Sequence, residues 1–548
     1  MTGKLPAAAP GAARPAPEPG AALGPSLEAG RKLSPASVAV ILTTALALSL
    51  RLLQLTNHGY LLGPTEYDDG VYFGSAIRLV GGVMPYRDFA LVQPPGIIWL
   101  MTPMALFAGP LGTAKALAIG RVLTACAGAA GVTMTGLLIR HRGVLATTVA
   151  CGFLAVYPDG VAASHTVLLE PWLVLFCLAG ALAVMDRDNL TLSSRRLAVG
   201  GVAFGVAGAC KAWAIIPVLV LLAGLLRVPR RALVFAGWTV LGFSVPVLPF
   251  VVLAPRAFYQ SVIIAQLSRT TGPRIPLSFR LASMLGLSHG PNLDRAELIG
   301  VAFVIATLAV GCSLLASLAS GRLPPPLETF ALATAALVAT AFLWPPDYYY
   351  HYAAFLGPFL ALAVVLPVSR LAAVVSRPGA RIRYRSVAGY GTALAVVIVL
   401  ALAVLQGRTK PNPSYTGIAD AAVADEQIIP AGSCVLPDSV AYTIAADRFL
   451  SSVRGCPVIV DSIGTDYWLS HGRNGQTGAG RVPAVQRAWL TAFAHAQYVW
   501  LSGRAPLRIP FTHAISAYFS AHFRAVRVDA SGTLYKRAGA ATRGGAPG

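Results

Sequence analysis

Acids are scarce in this sequence, so a cluster of them is the first place to look for chemistry. Residues 66–72 read Glu66-Tyr67-Asp68-Asp69-Gly70-Val71-Tyr72. Adjacent carboxylates repel each other unless a cation or a task offsets the cost. A solvated turn would account for the pair, and so would a general base beside a metal or phosphate site. Residues 74–82 have the spacing of a short amphipathic surface helix, followed by Tyr86-Arg87-Asp88-Phe89 and then Gln93-Pro94-Pro95-Gly96. Tyr72, Arg87, Asp88 and Gln93 are candidate substrate contacts. A further acid, Glu170, precedes Pro171, which suits the first turn of a helix; an acid there faces the positive end of the helix dipole. Glu170 is therefore either a helix-stabilising residue or a catalytic one.

The cations offer a matching chemistry. Lys211 is the only lysine between positions 116 and 409. It could hold a lipid-linked phosphate or simply snorkel to the membrane surface. The stretch 255–297 carries Arg256, Arg269, Arg274, Arg280 and Arg295. It could bind an anionic lipid phosphate or lie on headgroups. The run Trp344–Tyr352 contains Tyr349 and His351. It reads as an interfacial aromatic belt or as a sugar- or phosphate-binding rim.

The elements that must position these residues are membrane spans. Of 548 residues, 55% are apolar and 12% charged, about half the ~25% charged residues of a soluble domain. That excludes a soluble globular enzyme and a disordered chain. The net charge of +21 suggests nucleic-acid binding, but the basic residues are scattered between apolar runs rather than gathered on a polar face. No nucleic-acid partner is expected. Roughly 20 apolar residues cross a bilayer as a helix. Eleven stretches qualify, at 36–53, 117–139, 143–158, 167–185, 196–210, 212–226, 232–254, 298–319, 329–344, 351–368 and 387–406. With the N-terminus inside, every predicted cytoplasmic segment is basic: Lys4, Arg14, Arg31 and Lys32; Arg140 and Arg142; Arg187, Arg195 and Arg196; Arg227, Arg230 and Arg231; Arg322; and Arg370 to Arg385. This obeys the positive-inside rule. Residues 96–110 are apolar but broken by Pro103. If they crossed, the later basic loops would fall outside, so they are expected to lie on or dip into the outer face.

The predicted domains follow. Residues 1–35 form an Ala/Pro/Gly-rich cytoplasmic tail, read as disordered; no apolar stretch in it resembles a signal peptide. Residues 36–408 form an all-α polytopic domain, with 54–116 as its first outer loop. Residues 409–548 alternate short apolar runs with helical stretches and read as a small extracytoplasmic α/β domain. A disulfide is expected there between Cys434 and Cys456, since the outer side is oxidising. The other five cysteines lie in or beside spans and read as packing residues.

Taken in order, these motifs resemble the GT-C superfamily of membrane glycosyltransferases, in particular the protein O-mannosyltransferase and aminoarabinose-transferase branch and related actinobacterial cell-envelope enzymes. Asp68, Asp69 and Tyr72 match an acidic Asp-Glu-x-x-Tyr element, with Asp in place of Glu. Gly82, Pro85, Tyr86 and Asp88 match the next element, and Pro94-Pro95 the last. Glu170 stands where Asp is more usual, Lys211 matches a lysine after the fifth span, and His351 stands where the family more often has Arg.

The resemblance implies a GT-C fold of about 11 helices and a sugar donor on a polyprenyl phosphate. It implies a single inverting displacement with Asp68 as general base, and Lys211 or an arginine of 255–297 on the departing phosphate. Asp69 and Glu170, the other catalytic candidates, would hold a divalent cation (Mg, Mn or Ca) through oxygen ligands or orient the acceptor. The acceptor would be a polysaccharide, a glycolipid or a protein, the enzyme would be embedded in plasma-membrane lipids, and mannosyl or arabinosyl transfer would both fit. A transporter or flippase for lipid-linked sugars is the rival. Transporters favour midplane ionisable groups and paired repeats, whereas these acids gather at the outer surface. The topology makes a direct prediction: a reporter fused after Gly548 reads extracytoplasmic, and a cytoplasmic signal would overturn the assignment of sides.

Overall fold

Each predicted span coincides with a helix. The computed structural model describes residues 2–3, 33–269, 274–288, 292–376, 381–407 and 413–539. The predicted tail at 1–35 lies mostly outside them, as do Lys4, Arg14, Arg31, Lys32 and Arg377. From Pro35 onward the chain packs as one unit. In chain order its first helices are α1 (Pro35–Leu55), α2 (Tyr67–Val80), α3 (Gly96–Ala105), α4 (Thr113–Ile139), α5 (Val144–Val156), α6 (Leu169–Val184) and α7 (Ser194–Cys210). They are followed by α8 (Ile215–Leu225), α9 (Pro229–Leu253), α10 (Arg295–Ser320), α11 (Pro326–Leu343), α12 (Ala353–Val375) and α13 (Arg381–Gly407).

Among the described residues, seven of these helices are long and apolar enough to cross a membrane: α1, α4, and α9 to α13. The outward faces of α9 and α10 are apolar and open, with Val252 70% and Phe303 71% exposed. Patches of this kind are rare on soluble proteins and suit a lipid-facing surface; the protein is a multi-pass membrane protein. α3 spans ten residues, about 15 Å at 1.5 Å per residue, half of a ~30 Å hydrocarbon core. It is too short to cross, in keeping with the reading of 96–110.

Contacts gather three of the predicted cytoplasmic loops at one end of the bundle. At one end His141 and Arg142 both reach Asp188, at 2.9 and 2.7 Å. The Leu327 amide donates to the Asp188 carbonyl, and Arg370 pairs with buried Glu328 at 2.8 Å. Arg370, expected in a loop, sits instead within α12 and is buried. At the other end of α4, the Ala114 amide and the Thr113 hydroxyl donate to Asp447 Oδ1 at 2.9 and 3.0 Å. Asp447 belongs to the C-terminal domain, so that domain supplies the carboxylate that favours the positive end of a membrane helix.

The C-terminal domain is α/β, as expected. It comprises α14 (Pro413–Ile428), β1 (Val435–Pro437), α15 (Val440–Ala445), α16 (Ser462–Ser470), α17 (Pro483–His495), β2 (Tyr498–Leu501), α18 (His513–His522), β3 (Phe523–Asp529) and β4 (Gly532–Arg537). Its sheet runs β1-β2-β4-β3; β1 and β2 are parallel, and the β2–β4 and β4–β3 pairs are antiparallel. Trp489, Phe493, Val499 and Ile515 fill a core of its own. Cys434 and Cys456 are disulfide-bonded.

This domain also shares a second apolar core with the surface helices. Phe73 and Ile77 of α2 and Ile97 and Met101 of α3 pack with Ile444, Phe449 and Val460 of the domain. The approach is close: a Cβ at Gly70 would lie 2.5 Å from the Ala441 amide nitrogen. A glycine is required there because any side chain would push the domain off α2. The helix that carries the acidic pair is thus held between the membrane bundle and the C-terminal domain.

Candidate active site

Asp68 and Asp69 are neighbours in sequence, and the helix sends them to opposite fates. Residues of α2 advance about 100° each, so adjacent side chains leave on different faces. Asp69 is fully buried and pairs with buried Arg121 of α4, Nη2 to Oδ2 at 2.6 Å. The same oxygen accepts from the Thr166 hydroxyl at 2.5 Å and the Thr65 hydroxyl at 3.3 Å. Arg121 Nη1 donates to the carbonyls of Tyr60, Leu61 and Gly63, and Nε to Thr166. One guanidinium thus gathers the loop before α2, the first turn of α2 and the loop before α6.

Asp68 points the other way, into a cavity of about 380 Å³, within the range of small-molecule sites. One wall comes from α2 and the loop after it: Asp68, Tyr72 and Gln93. A second comes from the membrane-facing elements: Lys211, Arg269, Tyr349 and His351. The third belongs to the C-terminal domain and includes Asp461, Tyr467 and Arg508. Tyr72 offers its hydroxyl to Asp68 Oδ2 at 3.4 Å, a long contact that leaves the carboxylate available.

Lys211 follows α7 directly, and its ammonium is strongly held. Nζ lies 2.5 Å from Glu170 Oε1, 3.7 Å from the Trp213 ring centroid and 4.3 Å from that of Tyr352. Such rings attract a cation through their quadrupoles. Glu170 Oε2 faces His351 Nδ1 at 2.9 Å. Gly96 lets α3 begin against this corner, since a Cβ there would sit 2.6 Å from the Ala209 carbonyl. Gln93 is thereby brought to the same cavity as Lys211. Arg269 lies 5.1 Å from the Tyr467 ring centroid, which links the 255–276 stretch to the C-terminal domain.

The structure therefore sorts the expected site residues. Asp68, Tyr72 and Gln93 border one cavity with Lys211, Arg269, Tyr349 and His351. Asp69 and Glu170, expected to be catalytic, do not border it: both are fully buried. Asp69 positions α2, and Glu170 positions Lys211 and His351 from behind. Arg87 and Asp88, expected as substrate contacts, pair with each other at 2.8 Å on an exposed turn, where Asp88 also accepts from the Met84 amide. The turn is tight enough to hold Tyr86 at a φ of 66°.

The metal expectation does not fit these residues. Asp69 Oδ2 is taken by a guanidinium and two hydroxyls while Oδ1 is buried with no hydrogen-bond partner among the described residues, and the Glu170 carboxylate lies between an ammonium and an imidazole. Among the described residues, no group of three His, Cys, Asp or Glu side chains is arranged to hold a metal ion.

Three contributors escaped the sequence. Arg121 had a signal, since an ionisable residue inside an apolar span is costly and seldom idle. Asp461 and Arg508 had none, because they reach the cavity from a domain without a motif. Burial pushes the Asp461 carboxyl up to about 6.

This arrangement of elements is shared with solved structures. The crystal structure of ArnT from Cupriavidus metallidurans bound to undecaprenyl phosphate superposes with a TM-score of 0.55 at 18% identity, covering 91% of this chain and 98% of that one. Its apo state gives 0.55 at 16% identity, covering 92% and 98%. An Archaeoglobus fulgidus oligosaccharyltransferase tethered with an acceptor peptide gives 0.49 at 13%, covering 85% and 68%. At such identities the likeness concerns the fold. No family model matches the sequence, and no curated protein matches it.

Losing one partner of the Asp69–Arg121 pair leaves a buried charge without compensation, a cost of about 3–5 kcal/mol. Arg121→Met is accordingly expected to lower the unfolding midpoint of the detergent-solubilised protein sharply. Arg121→Met with Asp69→Leu should recover part of the loss. An unchanged midpoint in the single variant would contradict the role given to the pair.

Proposed function

We propose that this protein is a membrane glycosyltransferase that moves a sugar from a polyprenyl-phosphate donor to a cell-envelope acceptor at the outer leaflet of the plasma membrane. The observation that carries this reading is one cavity bordered by an available carboxylate, Asp68, and by two cations, Lys211 and Arg269. That is the polarity an inverting transfer needs. Asp68 takes the proton from the acceptor hydroxyl as its oxygen attacks the anomeric carbon. The new glycosidic bond forms on the face opposite the breaking bond to phosphate. The lipid phosphate leaves as an anion, and Lys211 and Arg269 offset its charge.

The donor class is supported by the fold, since the ArnT structure of the same fold is bound to undecaprenyl phosphate. The outer location is supported by the Cys434–Cys456 disulfide, which belongs to an oxidising compartment. The basic loops gathered at the opposite end agree with it. The sugar is a hexose or a pentose, with mannose and arabinose the first two to test, and the acceptor is a polysaccharide, a glycolipid or a protein.

The decisive variant is Asp68→Asn, which keeps the shape and removes the base. Loss of a general base costs about 10²–10⁴-fold in rate. Release of polyprenyl phosphate from polyprenyl-phosphate mannose or arabinose is the readout. A fall of that size in a folded, membrane-inserted variant is expected. Normal turnover by the variant would remove Asp68 from the reaction.

A further inference from the structure

We propose that the C-terminal domain is a working part of the active site: it sets the position of Asp68 by gripping the preceding residue, Tyr67. This rests on Asp68 being the base. The Tyr67 hydroxyl donates to Asp461 Oδ1 at 2.8 Å and accepts from the Ile463 amide at 3.0 Å. Asp461 is itself fixed, accepting from the Gly464 amide at 2.7 Å as the N-cap of α16. The Arg508 guanidinium lies 4.6 Å from the Tyr67 ring centroid. It is anchored in turn by buried Asp438 at 3.0 Å, which also accepts from the Ser502 amide and hydroxyl at 2.8 and 2.6 Å. Each of these partners of Tyr67 belongs to the C-terminal domain.

Asp68 thus stands between two clamps. Asp69 on its C-terminal side is tied to the membrane bundle through Arg121. Tyr67 on its N-terminal side is tied to the C-terminal domain. Among the described residues the Asp68 carboxylate has the long Tyr72 contact as its one hydrogen bond, so its place in the cavity is set by the backbone on either side. Burial raises the Tyr67 hydroxyl well above its ordinary pKa, which keeps it a neutral donor toward Asp461. A displacement of about 1 Å at a reacting group can cost 10²-fold in rate, so the grip on Tyr67 bears directly on turnover. Tyr67 is a positioning residue and takes no part in the proton transfer.

The test uses the full-length protein in lipid nanodiscs, with polyprenyl-phosphate mannose and polyprenyl-phosphate arabinose as donors. Tyr67→Phe keeps the ring over Arg508 and deletes the hydroxyl. Its kcat is expected to fall about 10–100-fold, with donor KM unchanged. A merely structural contact would lower the unfolding midpoint and leave kcat at the wild-type value. Asp461→Asn keeps an oxygen that accepts from Tyr67 and should retain more activity than Asp461→Ala, which also loses the cap of α16. The double variant Tyr67→Phe/Asp461→Ala should lose less than the product of the two single losses, since both singles break the Tyr67–Asp461 bond. A wild-type kcat for Tyr67→Phe, or additive losses in the double variant, would overturn the proposal while an inactive Asp68→Asn left the base assignment standing. An active Asp68→Asn would overturn both.

Discussion

Arg121 carries a charge into the interior of a membrane protein, and the site depends on how that charge is satisfied. Burying a guanidinium and a carboxylate is expensive, and the attraction between them repays the cost only with good geometry and further hydrogen bonds. The geometry is good and further hydrogen bonds are present on the guanidinium and on Asp69 Oδ2, while Oδ1 has no hydrogen-bond partner among the described residues. The Asp69–Arg121 contact is supported by two threonine hydroxyls and three backbone carbonyls. Those carbonyls come from residues 60–63, just before the helix that carries Asp68. The pair therefore fixes the entry to α2, its first turn and the loop before α6 with one group. Asp68, next along the chain, is delivered to the cavity as a consequence.

The cationic side of the cavity uses the same device. Glu170 is buried behind Lys211 and His351 and holds both, while Trp213 and Tyr352 fix the ammonium from its other sides. A lysine on a flexible four-carbon stem would otherwise sample many positions. Held in this way, it presents its charge at a constant place in the cavity, the preorganisation that the proposed departure of a lipid phosphate requires. The acids of this chain thus divide by burial. Half-buried Asp68 borders the cavity, buried Asp69 holds Arg121 within the bundle, and buried Glu170 holds Lys211 and His351, which border the cavity.

Much of this was legible in the sequence, for reasons that can be named. Span positions follow from apolar length, and the loops fell at two ends because Arg and Lys mark one side; Asp188 meeting His141 and Arg142 is the structural counterpart of that rule. The loop charges predicted that 96–110 does not cross, and α3 is short, although Pro103 lies within the helix rather than breaking it. Asp68, Lys211, Arg269 and His351 were found because a scarce ionisable group beside an apolar run carries information. Burial was not legible. Sequence alone could not say which of Asp68 and Asp69 faces the cavity, since that depends on the rotation of α2. It also could not show that Arg87 and Asp88 would satisfy each other in a turn. Asp461 and Arg508 lay beyond reach for a different reason: the C-terminal domain meets α2 across nearly 400 residues of chain, a contact no local pattern encodes.

The net charge of +21 now divides into two parts. Part of it comes from the arginines and lysines of the predicted cytoplasmic segments, and a few other cations meet the acids at a cavity. The claim that this cavity transfers sugar from a lipid phosphate is tested most directly by mass spectrometry of cell-envelope glycans and lipid-linked sugars, in cells with and without the protein. Loss of one glycosyl residue from an envelope acceptor, with accumulation of its polyprenyl-phosphate sugar at the outer leaflet, is the predicted result. Unchanged acceptor glycans, or a lipid-linked sugar stranded at the inner leaflet, would contradict it.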